Sequence, residues 1–174
     1  MCMKVTIDAE TKQFQKWIGE YTKALPRDVQ PKALRAMALE FVSRAVKLTP
    51  VDTGRARGGW ISFMEKETPL PTSVLVRDTS RVGGSSEKVT GAQISKGRSE
   101  GGHTTDLKGK DQYVEVLNGV PYIVQLEHGS SDQNPTGMVR VAFREMQGKA
   151  DDIFLKELEK ANRKATAKSR GIRG

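Results

Sequence analysis

Cysteine and aromatic residues are scarce in this chain of 174 residues. Cys2 is the only cysteine, so the sequence excludes an intramolecular disulfide and a zinc site built from several cysteines. Aromatic residues make up 6% of the chain, and none lies within residues 160–174. We therefore do not expect a stacking platform for single-stranded nucleic acid at that end of the chain.

Long apolar runs are also missing from the sequence. No run approaches the roughly 18 residues that a membrane-spanning helix needs, and the first residues, M-C-M-K-V-T-I-D, lack the apolar core of a secretory signal. We expect a soluble intracellular protein without a membrane partner. The length suits one domain, because a chain of this size buries about 70% of the surface that its unfolded form exposes.

Positive charge, in contrast, is in excess. The chain has 29 Lys and Arg residues against 21 Asp and Glu residues, a formal net charge of +8. Residues 160–174 contain six basic side chains and no acidic one. Such a charge permits binding to nucleic acid or to an acidic surface without requiring it. We predict a single domain over residues 1–160 and a basic flexible tail over residues 161–174.

Apolar residues that recur every three or four positions predict helices in three parts of the chain. The first helix covers residues 8–25. The second covers residues 31–48, with Pro31 in the first turn, where proline is favoured. The last begins near Met138, and a single helical turn is predicted around residues 122–126.

Three short segments predict strands. Residues 60–66 and 73–77 alternate apolar and polar positions, and residues 113–117 are mostly apolar. Between them, residues 78–112 are rich in Gly, Ser, Lys and Thr and poor in apolar side chains, which predicts a flexible insertion. The predicted fold class is α+β, with a small antiparallel sheet of three to four strands packed by helices and a long mobile insertion between strands.

The sequence offers little for catalysis. The two histidines, His103 and His128, both lie in predicted loops, and the sequence has no H-E-x-x-H and no phosphate-binding G-x-x-x-x-G-K-[S/T]. Glu127 and His128 are adjacent, and neighbouring residues rarely point at one substrate, so a hydrolase is only a remote alternative. We predict that the protein is not an enzyme and uses no cofactor or metal.

A specific pattern follows the second predicted helix directly. Residues 49–60 read T-P-V-D-T-G-R-A-R-G-G-W. Pro50 should end the helix, and Asp52 or Thr53 should cap a short turn through a side-chain oxygen. Gly54 should allow the backbone conformation that this turn requires. Trp60 should anchor the core.

A second pattern covers residues 118–130, N-G-V-P-Y-I-V-Q-L-E-H-G-S, and continues at residues 134–143, N-P-T-G-M-V-R-V-A-F. Tyr122 and Leu126 are four residues apart and should share one helical face. Glu127 ends that turn, where the helix dipole does not favour a carboxylate. Two interpretations of Glu127 follow: it binds an arginine of a neighbouring subunit, or it has an intrachain partner or is exposed to solvent.

Together these segments resemble a family of tailed-bacteriophage tail-component proteins, the neck or tail-completion proteins of the head–tail junction. Members of that family carry P-V-D-T-G-x-L-R-x-S, V-P-Y-A-x-x-x-E-x-G-T and P-x-G-M-x-R-x-A in this order. The resemblance covers about residues 31–147. Ala56 stands where the family has a large apolar residue, and Ser130 where it has threonine.

The resemblance implies a structural virion protein that is assembled in the host cytoplasm and forms a homo-oligomeric ring needed for joining heads to tails. Six copies are preferred and twelve are the second choice. The implied partners are adjacent neck and tail proteins, while genome DNA passes the channel without sequence-specific binding. We assign structural roles to Pro50, Asp52, Thr53, Gly54, Trp60, Pro121, Tyr122, Gly129 and Gly137. We assign a candidate subunit interface to Arg55, Arg57, Glu127 and Arg140.

The alternative function is a small basic nucleic-acid-binding protein that uses residues 160–174 and the polar insertion. Such a protein would show a steep loss of affinity with salt, because its cations would bind phosphates. A ring-forming subunit would instead elute well above the size of one chain, largely independently of salt.

Overall fold

The computed structural model describes residues 3–8, 28–50, 53–67, 89–109, 111–129 and 137–171. Its elements in chain order are β1 (Met3–Asp8), α1 (Val29–Leu48), α2 (Arg55–Gly58), α3 (Ile61–Glu67), α4 (Gly91–Glu100), β2 (Gly101–Asp106), β3 (Tyr113–Asn118), α5 (Ile123–His128), α6 (Met138–Gln147) and α7 (Ala150–Gly171). No helix among the residues described is long and apolar enough to cross a membrane.

Helix α1 lies at the centre of the core, and the sequence predicts it correctly to within two residues of its start. Its buried side chains recur every three or four residues along most of its length, so one apolar face runs from end to end. They are Val29, Ala33, Leu34, Met37, Ala38, Phe41, Val42, Ala45 and Val46.

Helices α6 and α7 pack on α1. Arg44 of α1 forms ion pairs with Glu40 and with Glu145 of α6, and Lys149 Nζ lies 3.0 Å from Glu40 Oε1. Phe143 of α6 packs edge-on against Phe41, with ring centroids 6.5 Å apart. The start of α7 is thereby held beside the middle of α1.

The sheet is built around β3. Strands β2 and β3 form an antiparallel pair, and β1 runs antiparallel along the other side of β3. Asn118, the last residue of β3, faces Met3 of β1 and Gly101 of β2 in the register. Along β3, Val114, Val116 and Asn118 are buried and alternate with half-buried residues, the period of two that a strand imposes.

The predicted architecture, built mainly on a sheet of three to four strands, is wrong in its balance and in its strands. The chain is a mixed α+β chain that is mostly helical, and the strands that pair with β3 are β1 and β2, neither of which the sequence predicts. Of the predicted strands, only the one at 113–117 forms a strand. The predicted strand at 60–66 is helix α3, and the one at 73–77 lies outside the described residues.

The residues of α3 show why the prediction failed. Trp60, Ile61, Phe63 and Met64 are all buried, and these positions have helical spacing as well as near-alternation. A short apolar run with both patterns does not distinguish a helix from a strand. Packing against α1 and α4 decides the outcome.

The prediction of a flexible insertion at residues 78–112 is also wrong for the part of that segment that the structure describes. Residues 91–106 form α4 and β2, and Thr90 caps α4 by accepting a hydrogen bond from the Gln93 N–H at 3.2 Å. The segment has few apolar side chains because it packs through its backbone. Residues 78–88 and 110 lie outside the described part.

The remaining predictions divide. The helical turn near 122–126 and the helix from Met138 are confirmed as α5 and α6. Helix α7 continues through Gly171, so the predicted tail at 161–174 begins as helix. The predicted helix at 8–25 lies outside the described residues except at Asp8, which ends β1.

Candidate functional site

The two motif segments meet at the carboxyl end of α1, around the hydroxyl of Thr49. This residue is fully buried. Its hydroxyl donates to the Ala45 carbonyl at 2.6 Å and accepts a hydrogen bond from Trp60 Nε1 at 3.1 Å. The same oxygen lies 3.1 Å from the sulfur of Met138, the first residue of α6. We call this meeting point the junction.

Trp60 anchors the junction, as the sequence predicts, although it precedes a helix. Its side chain is fully buried, and its ring packs edge-on against Phe41 with centroids 6.4 Å apart. A buried aromatic of this kind contributes a large apolar area and needs a partner for its N–H, which Thr49 supplies.

Arg57 caps α1 from within the chain. The side chain is fully buried, its Nε donates to the Thr49 carbonyl at 2.8 Å, and a terminal nitrogen lies 3.5 Å from the Lys47 carbonyl. The last carbonyls of a helix lack intrahelical donors and carry partial negative charge. A guanidinium both donates hydrogen bonds to these carbonyls and compensates their charge. The assignment of Arg57 to a subunit interface is therefore corrected, because a fully buried side chain does not reach a second subunit.

Arg55 binds Glu100 at the end of α4. The Nε–Oε2 distance is 2.8 Å, and a terminal nitrogen donates to Oε1. The hydrogen bond from Arg55 lowers the pKa of Glu100 below its ordinary value, and the same bond raises the pKa of Arg55, in each case against a smaller effect of desolvation. This interface candidate thus has an intrachain partner, and it joins the motif turn to α4.

Glycines allow α2, α4 and β2 to approach backbone to backbone. A Cβ on Gly97 would lie 1.9 Å from the Arg55 carbonyl oxygen, and one on Gly101 would lie 2.1 Å from the Gly59 carbonyl oxygen. A Cβ on Gly59 would overlap the buried Asn118, whose amide donates to the Ala56 carbonyl at 2.9 Å. Only glycine fits such contacts without a shift of the backbone.

Glu127 caps the next helix. Its carboxylate accepts hydrogen bonds from the N–H groups of Val139 at 2.8 Å and Arg140 at 3.1 Å, and its carbonyl accepts from the Gly137 N–H at 3.1 Å. The side chain is only 6% exposed. A carboxylate at the start of α6 accepts hydrogen bonds from N–H groups that have no partner within the helix, and its negative charge interacts favourably with the helix dipole. The intrachain interpretation of Glu127 is therefore confirmed, and the interface assignment is corrected.

The other motif residues take backbone roles. Helix α1 ends one residue before Thr49, whose extended backbone suits the position before Pro50. Left-handed φ angles occur at Gly54 (83°), Gly129 (84°) and Gly137 (58°), where glycine is favoured.

The structure places the remaining assigned residues as follows. Asp52 lies outside the described residues, Thr53 and Tyr122 are half-buried, and Pro121 and Arg140 are exposed.

Residues that could bear chemistry lie apart. His103 packs edge-on against Phe63 in the β2 region, with centroids 5.5 Å apart, and His128 is exposed at the end of α5. Residues 97–101 match the G-x-S-x-G pattern, yet they span the last turn of α4 and the first residue of β2, and the Ser99 hydroxyl donates to the Lys96 carbonyl at 2.8 Å. A nucleophile elbow needs a strand-to-helix turn instead. Within the described ranges, no group of three or more His, Cys, Asp or Glu could hold a metal ion.

Comparison of the chain with protein-family models, curated proteins and solved structures finds no match. The class of site is therefore argued from its own geometry. Buried charged and polar groups here bind helix ends and backbone of the same chain, so the site is a structural junction.

Proposed function

We propose that this chain is a structural virion protein of a tailed bacteriophage or prophage, a subunit of a ring at the head–tail junction. The ring completes the neck or tail and is needed to join heads to tails. Neighbouring neck and tail proteins are its partners, and genome DNA passes through it without sequence-specific contacts.

One observation carries the proposal: the residues that bear the resemblance form a single constrained unit. Thr49, Trp60 and Met138 meet at one hydroxyl although up to 89 positions separate them. Glu127 and Gly137 in turn form the cap from which α6 starts. Because the motif residues contact each other inside the chain, the motifs define a scaffold rather than a surface. The resemblance therefore supports a scaffold shared with the tail-component family, and we extend it by proposal to a shared role.

The geometry also narrows where a ring contact would form. Arg55, Arg57 and Glu127 bind groups of their own chain, so intersubunit contacts must use other side chains. Of the four assigned interface residues, Arg140 is the one whose side chain is exposed. We keep six copies as the first choice and twelve as the second, since a heterologous contact that closes on itself generates a ring.

The test is deletion of the gene from the phage or prophage that encodes it, with complementation from a plasmid. The proposal predicts a lysate of filled heads and separate tails without joined particles, seen by negative-stain electron microscopy. A plasmid copy should restore joined particles, and a plasmid with an early stop codon should not. Joined, infective particles from the deletion strain would contradict the proposal.

The nucleic-acid alternative has weaker support. Lys160 Nζ lies 2.5 Å from Glu157 Oε1, and Arg163 lies 3.6 Å from Glu159, so acidic neighbours on α7 compete with phosphate for these cations. Anisotropy titrations with duplex DNA at several salt concentrations test it. A log–log slope equivalent to several phosphate contacts would favour the alternative.

A further inference from the structure

We infer that Asn118–Gly119 is a site of spontaneous deamidation that the fold protects: it reacts only when the end of β3 opens, and the modified chain does not refold. Asn118 is the one asparagine of the chain that precedes a glycine, because Asn134 precedes proline and Asn162 precedes arginine. The inference goes beyond the proposed function and does not depend on it.

The reaction needs only the chain, hydroxide and water. The backbone nitrogen of Gly119 loses its proton to hydroxide and attacks Asn118 Cγ. A new N–Cγ bond forms, and the Cγ–Nδ2 bond breaks as the amide leaves as ammonia with a proton taken from water. Water then opens the resulting succinimide ring at either carbonyl, which leaves aspartate or isoaspartate at position 118. Glycine favours the attack because it has no side chain to hinder it, whereas the proline after Asn134 has no N–H to lose.

In the folded chain, the attacking nitrogen is held away from its target. The Gly119 N–H donates to the Glu100 carbonyl at 2.9 Å, which continues the pairing of β3 with β2 by one residue. This bond lies in the plane of the sheet, whereas a strand side chain such as that of Asn118 stands roughly perpendicular to it. Ring closure therefore requires rotation about the Cα–C bond of Asn118 and loss of the hydrogen bond to Glu100.

The target amide is held at both of its polar atoms. Asn118 is fully buried, its Nδ2 donates to the Ala56 carbonyl at 2.9 Å, and its Oδ1 accepts from the Val120 N–H at 3.2 Å. The backbone of Gly59 lies so close to this amide that a Cβ there would overlap it. Hydroxide and water, which the reaction requires, have no access to a side chain that is buried in this way.

The products do not fit the same place. An aspartate carboxylate would put an oxygen against the Ala56 carbonyl where an N–H donor now lies, and burial of its negative charge would cost stability. Isoaspartate lengthens the main chain by one carbon, so the backbone groups that follow position 118 no longer meet their partners on β2. A chain that deamidates while it is open therefore does not regain the native fold.

Peptide mapping by mass spectrometry tests the inference on the full-length chain, held at mildly alkaline pH in native buffer or in guanidinium chloride. In denaturant, Asn118 should deamidate at least about tenfold faster than Asn162, with isoaspartate among the products, because glycine does not hinder the attack. In native buffer, the rate at Asn118 should be at least about tenfold lower, because the reaction then requires local opening.

Three results of this experiment would overturn the inference. Equal rates at Asn118 in the two solutions would show that the fold gives no protection. A rate at Asn118 in denaturant no higher than that at Asn162 would show that the site is not especially reactive. Aspartate without isoaspartate would show direct hydrolysis of the amide rather than attack by Gly119.

Two matched variants locate the opening. Glu100→Gln removes the ion pair with Arg55 at the end of α4, where Gly119 is held, so deamidation should accelerate about two- to fivefold in native buffer and stay unchanged in denaturant. Glu159→Gln removes the exposed ion pair with Arg163 on α7 and should match the wild type in both solutions. The inference is wrong if Glu100→Gln reacts no faster than the wild type in native buffer, or if Glu159→Gln accelerates the reaction equally.

Asn118→Asp reproduces one product directly. At neutral pH, this variant should fail to fold or should unfold at a lower temperature than the wild type, as measured by circular dichroism. Asn162→Asp, at an exposed position of α7, is the matched control and should unfold like the wild type. If the two variants unfold at the same temperature, the product fits the fold and the inference is contradicted.

Discussion

The junction at the end of α1 and the outer face of α7 use charge in opposite ways. At the junction, Arg57 and Glu127 are buried and bind backbone groups at helix ends. On α7, Asp151, Arg163 and Lys164 are exposed. Buried charges must be satisfied where they lie, whereas exposed ones remain open to a partner. The junction therefore holds helix ends together within the chain, whereas α7 leaves charged side chains exposed to solvent.

The largest expected effect comes from Trp60→Ala. Truncation removes a fully buried aromatic and leaves the Thr49 hydroxyl without its indole partner, so the free energy of unfolding should fall by about 3–5 kcal/mol. Chemical denaturation followed by circular dichroism measures it. A fall in the free energy of unfolding of less than about 1 kcal/mol, together with lost self-association, would show that Trp60 belongs to an interface rather than to the core.

Glu127→Ala should have the next largest effect. Two N–H groups at the start of α6 lose a charged acceptor, which should cost about 2 kcal/mol. Glu127→Gln keeps one oxygen and should cost less. Thermal unfolding compares the three chains, and equal stability of Glu127→Ala and wild type would show that the cap contributes nothing.

The Arg55–Glu100 pair should contribute less and only above acidic pH. The pKa of Glu100 is lowered from an ordinary 4.5, so its ionised form stabilises the fold above that pH. The contribution is lost as the pH falls through the lowered pKa. A double-mutant cycle with Arg55→Gln and Glu100→Gln should give about 0.5–1 kcal/mol of coupling at neutral pH, because both side chains are partly exposed.

The same cycle repeated in acid is the control for the pair. Its coupling energy should approach zero once Glu100 is protonated. A coupling that persists unchanged in acid would mean that the pair is held by packing rather than by charge.

The smallest effect on stability is expected for Leu155→Asn. The side chain is half exposed, so the free energy of unfolding should change by no more than about 0.5 kcal/mol. Leu158→Asn, at a partly buried position packed on the core, should destabilise more. The comparison fails if Leu155→Asn lowers stability as much as Leu158→Asn does.

The sequence predicts those parts of the fold in which one apolar face determines the structure. Helix α1 and strand β3 have such faces, and the burial of Trp60 follows from its place in the motif. The error at α3 comes from an apolar run too short to show its period. Helix α4 was missed because Gly97 and its neighbours pack through the backbone, which hydrophobicity does not reveal.

The candidate site was predicted only in part for a related reason. In the sequence, Glu127 stands at the end of its own helix, α5, where the helix dipole does not favour a carboxylate. The N–H groups that it accepts from at the start of α6 belong to residues 12 and 13 positions further along the chain, and only the fold brings them together. The sequence does contain an indication of this cap. Gly137, which precedes α6, has no side chain to accept from the first N–H groups of the helix, so another residue must supply the acceptor.

Hydrogen–deuterium exchange of the full-length chain, compared between the wild type and Glu127→Ala, tests the division between the two regions most directly. We predict that the variant exchanges faster at residues 138–141, where two N–H groups lose their acceptor, while residues 155–164 keep the wild-type rates. Unchanged rates at residues 138–141, or equal acceleration along residues 155–164, would contradict this account.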